Sequence, residues 1–323
     1  MDMLKSPNST VRTKALDALL LRSNTEESKQ QFRKLLEQAK AAQLKNAEAV
    51  VKKGSPALSQ IQTAHAAWDV KRAEVLKLIH TDWHKDPEKV AMLSREHAET
   101  AARLDALGKA MKTVETAWKP LADSTVALED MDRYLALLDR NSHAPKSAED
   151  HLKQLGAAQE AVGIFSLVRQ CQRAAEDLSA AEAHNAALKG VPKTAVMFAT
   201  ILNQRRHVVG LQPLWLDERL SKAAADHSQE MMSLGYFAHE SPVEKNKTPW
   251  MRGRNAGFDG SSSGECIYMG SAAPEAAYSA WWGSDGHRFI LFGAGANTLG
   301  MGPVGNHWTL MTGVKNRSRL AVR

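Results

Sequence analysis

The sequence predicts an α+β protein: an all-α region over residues 1–192, then a mixed, glycine-rich domain over residues 193–323. Three observations carry this. Glycine is unevenly placed, with 5 of its 20 copies in residues 1–192 and 15 in residues 193–323. Five of the eight tryptophans fall in the same last stretch. Finally, apolar residues recur at helical spacing in the first part. The second part alternates helical stretches, glycine turns and short period-two runs. With 323 residues, 43% of them hydrophobic and 24% charged, the chain is globular in composition and long enough for about two domains.

The all-α region is a helical bundle or a set of coiled-coil hairpins. Asn24 with Glu27 has the form of a capping box opening a helix that runs to about Lys53, where Gly54-Ser55-Pro56 stops it. The next helix carries Ile61, Trp68 and Val75 at seven-residue spacing and ends near Asp86-Pro87. Leu93, His97, Thr100, Leu104, Leu107, Met111, Val114 and Trp118 then follow a heptad seam, which Pro120 is expected to end. Two seamed helices joined by a short Pro-containing turn should fold back as an antiparallel hairpin. A further helix carries Leu128, Met131, Leu135 and Leu138. After a break from Asn141 to Pro145, Ser147 caps an Ala-rich helix to about Lys189. His80 and His84 stand four apart in His80-Thr81-Asp82-Trp83-His84, but the Glu of the zinc-protease helix is missing. His65 and His97 are read as packed or half-exposed seam residues. The region therefore reads as spacer, docking surface or oligomerisation element.

After Pro192 come Ile201-Leu202-Asn203-Gln204-Arg205-Arg206 and Gly210-Leu211-Gln212-Pro213-Leu214. Asp217 caps an amphipathic helix with Leu220, Ala224, His227, Met231 and Leu234 on one face. Next are Gly235-Tyr236-Phe237-Ala238-His239-Glu240-Ser241-Pro242, Gly264-Glu265-Cys266 and Trp281-Trp282-Gly283-Ser284-Asp285-Gly286-His287-Arg288. Trp308, Leu310, Thr312 and Val314 alternate as in a half-buried strand. His239, Glu265 and His287 sit beside turns, where sites commonly lie. Two imidazoles and a carboxylate suit a divalent ion with open positions, or an acid/base pair. His227 reads as a packed, hydrogen-bonded residue, Glu230 as a helix charge and Arg288 as a loop support. One of Trp281 and Trp282 is expected to face the core and the other to flank the site.

Composition excludes several classes. Cys171 and Cys266 are the only cysteines, too few for a disulfide framework or a Cys-rich zinc site. Net charge is +6 with no dense basic block, so nucleic acid is not an expected partner. Lys245, Lys247, Arg252 and Arg254 around Trp250 read as a solvated loop. The first twenty residues contain Asp2 and Asp17 and no long apolar run. No secretory signal peptide is read there, and no transmembrane segment is expected anywhere.

The segments from Leu202 to Gly302, in the order LNxxR, GLxPL, AAxxHSxxM, YFAHxSP, GE, WxxSxGHRxxIL and LGxG, resemble the bacterial form of the CAP superfamily. That superfamily groups cysteine-rich secretory proteins, antigen 5 and pathogenesis-related proteins, and its module is also called the SCP domain. The resemblance covers about residues 197–317. It implies an α-β-α sandwich with a central cleft formed by two histidines and two acids, carried over here to His239, Glu265, Ser284 and His287. Ser284 stands where many eukaryotic members have the second acid, and Cys266 replaces the usual Asn. The disulfides of the secreted eukaryotic branch have no counterpart.

The function this implies is a binding module on a helical stalk. Its cleft would take a small ligand, a lipid or a divalent cation such as zinc on His239 and His287. The alternatives are a metal-assisted hydrolase with Glu265 as general base, and a structural protein with an inert cleft that self-associates or docks a protein partner through its helices. Resemblance places such a protein outside the cell or in the envelope. With no signal peptide read in the chain, the cytoplasm stays open as the alternative.

Overall fold

In a computed structural model, the described residues are 2–6, 8–51, 58–83, 85–138, 145–154 and 159–316. The chain divides into two units, one of residues 1–66 and 105–172, the other of residues 67–104 and 173–323. The compositional boundary near residue 192 is thus not where packing divides. The second unit takes in the end of one helical pair as well as the glycine-rich segment.

The first unit contains helices α1 (Ser9–Arg22), α2 (Glu26–Val51) and α5 (Ala148–Gln154), with parts of α3, α4 and α6. Asn8 caps α1, its side chain accepting from the Val11 amide at 3.2 Å. The reciprocal cap before α2 is Thr25 with Ser28, one residue beyond the expected Asn24–Glu27 pair. Thr25 Oγ1 accepts the Ser28 amide at 3.1 Å, and Ser28 Oγ accepts the Thr25 amide at 3.0 Å. Leu16, Phe32, Leu36, Ala127 and Met131 share the core of this unit. Asp132 is buried there between Lys40 and His151. Burial alone would raise its carboxyl pKa, yet bonds from His151 and Lys40 bring it down to about 2.

Helix α3 spans Leu58–Ile79 and α4 spans Pro87–Leu138. The expectation that Pro120 ends a helix is corrected, because α4 continues through it. Proline costs one backbone bond, but buried Leu121, Val126, Ala127 and Leu128 hold the following turns. The antiparallel hairpin is present in residues 67–104. Lys71 reaches Glu96 and Glu99, and Arg103 donates to the Ala67 carbonyl at 3.0 Å. Leu93, His97 and Thr100 are buried on the seam, while the side chains of Val114 and Trp118 lie outside the described set. The breaks expected at Gly54–Pro56 and Asn141–Pro145 fall mainly outside the described residues. The Ala-rich stretch is described as α5 and α6 (Gln159–Ala187), with Ser147 and Asp150 forming the cap of α5.

The rest of the second unit is an α-β-α sandwich. It comprises α7 (Lys193–Val208), β1 (Trp215–Leu216), α8 (Glu218–Leu234), α9 (Pro249–Asn255), β2 (Ser261–Met269), α10 (Pro274–Trp282), α11 (Asp285–Leu291), β3 (Thr298–Val304) and β4 (His307–Val314). The sheet order is β1-β3-β4-β2, with β1 parallel to β3 and the other pairings antiparallel. β4 was expected to be half-buried, but it is buried on both faces over His307–Gly313. Trp308 and Leu310 enter the larger core with Phe198 of α7 and Trp281 of α10, whereas Met311 joins Leu220 and Ala224 of α8. Period-two apolarity here distinguishes two helical layers rather than core from water. Gly302 permits the tight side of this packing, since a Cβ there would lie 2.0 Å from the Ala225 amide nitrogen on α8.

Candidate functional site

Each candidate side chain is placed by local backbone chemistry. Helix α8 ends at Gly235, whose left-handed φ of 69° turns the chain into the 236–246 loop that carries His239. Glu230 on α8 organises that loop. It accepts from Tyr236 Oη at 2.6 Å, from Asn246 Nδ2 at 3.1 Å and from Ser241 Oγ. Those bonds hold its carboxyl below the usual range despite burial, and burial with Glu230 pushes the Tyr236 phenol up to about 12. His227, fully buried, donates from Nε2 to the Ala238 carbonyl at 3.1 Å, in keeping with a packed role, and burial lowers its pKa.

Glu265 projects from β2 beside Met311 of β4 and is buried. His239 Nδ1 donates to its Oε1 at 2.9 Å, so in the neutral imidazole Nε2 carries the lone pair. Arg252 closes the other side, donating from Nη2 to Glu265 Oε2. The same guanidinium donates to the carbonyls of Asn246 at 2.8 Å, Lys247 at 3.2 Å and His239 at 3.1 Å. The reading of Arg252 as a solvated loop cation is therefore corrected: it is buried and ties the His239 loop to Glu265. Thr248 and Pro249, the cap and first residue of α9, were the signal that this stretch is helical and ordered. Arg254 keeps a surface role, lying over the exposed Trp250 ring at 5.3 Å.

His287 sits on α11, with its ring centroid 6.3 Å from that of Trp281. Its Nδ1 is buried without a hydrogen-bond partner. The imidazole pKa is pushed down to about 4 by burial first, then by repulsion from His239 and Lys85. The structure thus brings His239 and Glu265 into contact, while His287 senses His239 only through that repulsion. Ser284 is the half-buried N-cap position of α11 and makes no capping bond with its side chain. Asp285 turns away from this group, its Oδ2 accepting the Trp83 amide at 2.8 Å and its Oδ1 pairing with Arg288. Cys266 is fully buried in the core, where burial raises its thiol pKa.

One further expectation is revised, and one falls partly outside the described residues. Trp281 and Trp282 both enter the core, Trp281 donating to the Ile267 carbonyl at 3.0 Å and Trp282 to Ser94 Oγ at 2.9 Å. His80 stacks on Phe289 of α11 at 5.7 Å, and His84 lies outside the described residues. Among the described residues, no three His, Cys, Asp or Glu side chains form a group suited to a metal ion. Glu265 is engaged by both His239 and Arg252.

Residues 200–307 match the family model described as "CAP: Cysteine-rich secretory protein family". This segment is a CAP-family domain of the bacterial type. The uncharacterized protein YkwD of Bacillus subtilis (strain 168) is 36% identical over 111 residues, which are 34% of this chain and 42% of that protein. The chain therefore spans less than half the length of this curated relative. Among solved structures, an extracellular SCP-domain protein of Bacillus anthracis is 26% identical, covering 38% of this chain and 41% of its own at a TM-score of 0.37. An outer surface protein of Borrelia burgdorferi is 16% identical, covering 38% and 94% at 0.35. A cysteine-rich secretory protein of Staphylococcus aureus is 17% identical, covering 40% of each chain at 0.33.

Proposed function

We propose that the CAP domain of this chain is a binding module whose His239–Glu265–His287 site takes a small ligand without transforming it. One observation supports binding over hydrolysis. Both oxygens of Glu265 are occupied, one by His239 and one by Arg252, so the carboxylate is a strut and not a free general base. The buried, unpartnered Nδ1 of His287 is by contrast a polar atom that a ligand would satisfy. The helices of residues 1–192 then serve to position or associate the module. Among the described residues no helix is long and apolar enough to cross a membrane. Placement outside the cell or in the envelope follows the family resemblance, and cell fractionation tests it.

Zinc is the first probe, because paired imidazoles suit it. Calorimetric titration of zinc into the full chain and into a His239→Ala/His287→Ala variant separates the outcomes. Binding lost in the variant supports an ion as ligand, and equal heats in both proteins remove it. Turnover of peptide or ester substrates that Glu265→Gln abolishes would overturn the binding reading.

A further inference from the structure

We infer that the α3–α4 hairpin of residues 67–104 is an acid-sensitive clamp on the α-β-α sandwich, with the neutral imidazole of His97 as its latch. The clamp stands whatever the His239 site binds. It bears on that site because the same hairpin holds α11, the helix that carries His287.

The clamp is built on the end of α7. A helix leaves its last four carbonyls without intrahelical donors. In α7 these belong to Arg205, Arg206, His207 and Val208. The turn that follows satisfies the middle two. The Arg206 carbonyl accepts from the Val209 and Leu211 amides at 3.2 and 3.0 Å, and the His207 carbonyl accepts from the Gly210 amide at 2.9 Å. The outer two are satisfied by the hairpin. His97 Nε2 donates to the Arg205 carbonyl at 3.0 Å, and Trp68 Nε1 donates to the Val208 carbonyl at 3.0 Å. Farther along, Trp282 of α10 donates to Ser94 Oγ at 2.9 Å, and the Trp83 amide donates to Asp285 of α11 at 2.8 Å. Val75, Ile79 and Leu93 enter the core that holds Phe198 and Trp282.

His97 is 1% exposed, and its ring meets that of Trp282 edge-on at 5.8 Å. Because Nε2 carries the donated proton, Nδ1 holds the lone pair, and Nδ1 is buried without a hydrogen-bond partner. A second proton would create an N–H with no acceptor, and a full charge, where water does not reach. The charges on the packed elements offer no relief. On α7, Arg205 repels the protonated ring, Arg206 is engaged by the carbonyls of Gln212, Leu291 and Gly293, and the pKa of half-buried His207 is lowered by burial. Lys71 of α3 is taken up by Glu96 and Glu99, and Glu275 of α10 is exposed. Burial lowers the His97 pKa from its ordinary 6.5, outweighing the bond to the Arg205 carbonyl, which raises it. The docked hairpin therefore binds fewer protons than the released one. Docking is strongest above about pH 6.5 and weakens as pH falls below it.

The test follows hydrogen exchange in the full chain at pH 7 and pH 5, corrected for intrinsic rates. The interface probes are the Trp68 and Trp282 indole N–H groups and the amides of residues 93–100, with the amides of β4 as the sandwich reference. Protection at the interface should fall at least about threefold relative to β4 on going to pH 5. In His97→Gln, which keeps a donor for the Arg205 carbonyl and takes up no proton, that difference should vanish. NMR titration of the wild type, which needs no variant, should place the His97 imidazole below 6.5. Interface protection that does not change with pH overturns the inference, as does the same pH response in H97Q. So does loosening of the hairpin and β4 together, or a His97 imidazole that titrates at or above 6.5.

Discussion

Replacing Arg252 with Met keeps much of the buried stem and removes the charge that Glu265 faces. The Glu265 side chain is 2% exposed and that of Arg252 3%, so the remaining carboxylate would have no water to turn to. Breaking a buried ion pair from one side costs about 3–5 kcal/mol. The carbonyls of His239, Asn246 and Lys247 also lose a donor, so about 4 kcal/mol is a conservative total. For a unit of this size that corresponds to a fall in Tm of about 8–16 °C. Seven of the eight tryptophans, all but Trp118, lie in the unit that holds Arg252, so tryptophan fluorescence reports its unfolding. Adding Glu265→Gln to the Met variant removes the stranded charge and should recover at least about 1.5 kcal/mol. A single variant within about 1 kcal/mol of wild type would refute this account of the strut. A double variant no more stable than the single one would do the same.

Three other outcomes are expected. The folded-state pKa of His287 is depressed to about 4, against an ordinary 6.5, so the unfolded chain takes up the proton more readily between those values. Its contribution to stability is therefore complete above about pH 6.5 and declines as pH falls towards 4. With the ring partly exposed, the change is roughly 1–2 kcal/mol. Urea midpoints at pH 7 and pH 4.5 should show His287→Asn losing that part of the acid sensitivity, and an unchanged pH dependence would disprove it. Gly302→Ala places a methyl group against α8 backbone that cannot yield, so a loss of at least about 3 kcal/mol is expected in thermal melts. A variant that melts with wild type would mean that β3 and α8 are not so close. Asp285→Ala removes the acceptor for the Trp83 amide and the partner of Arg288, so hydrogen exchange at Trp83 should accelerate at least tenfold. Unchanged protection there would mean that the hairpin turn is held by other contacts.

Much of the architecture was legible because it depends on local signals. Asp217 as cap, Gly235 as helix stop, the strand from His307 and the heptad spacing from Leu93 are all short-range patterns, and each corresponds to an element in the fold. Pro120 misled because a local penalty of about 3 kcal/mol can be outweighed by burial along a long helix. The alternation in β4 suggested one wet face, since sequence cannot distinguish a layer of water from a layer of small helical side chains.

The sequence by itself determined an α-rich chain with a glycine-rich CAP segment and named His239, Glu265 and His287, because motif order and residue type are properties of the chain. Tertiary structure alone decided what those residues face. Arg252 lies 13 residues from Glu265 and Trp83 lies 202 residues from Asp285, and no periodicity links positions so far apart. Whether a carboxylate is a base or a strut depends on which cation burial brings to it, and that pairing exists only once the sheet and helices have closed around it.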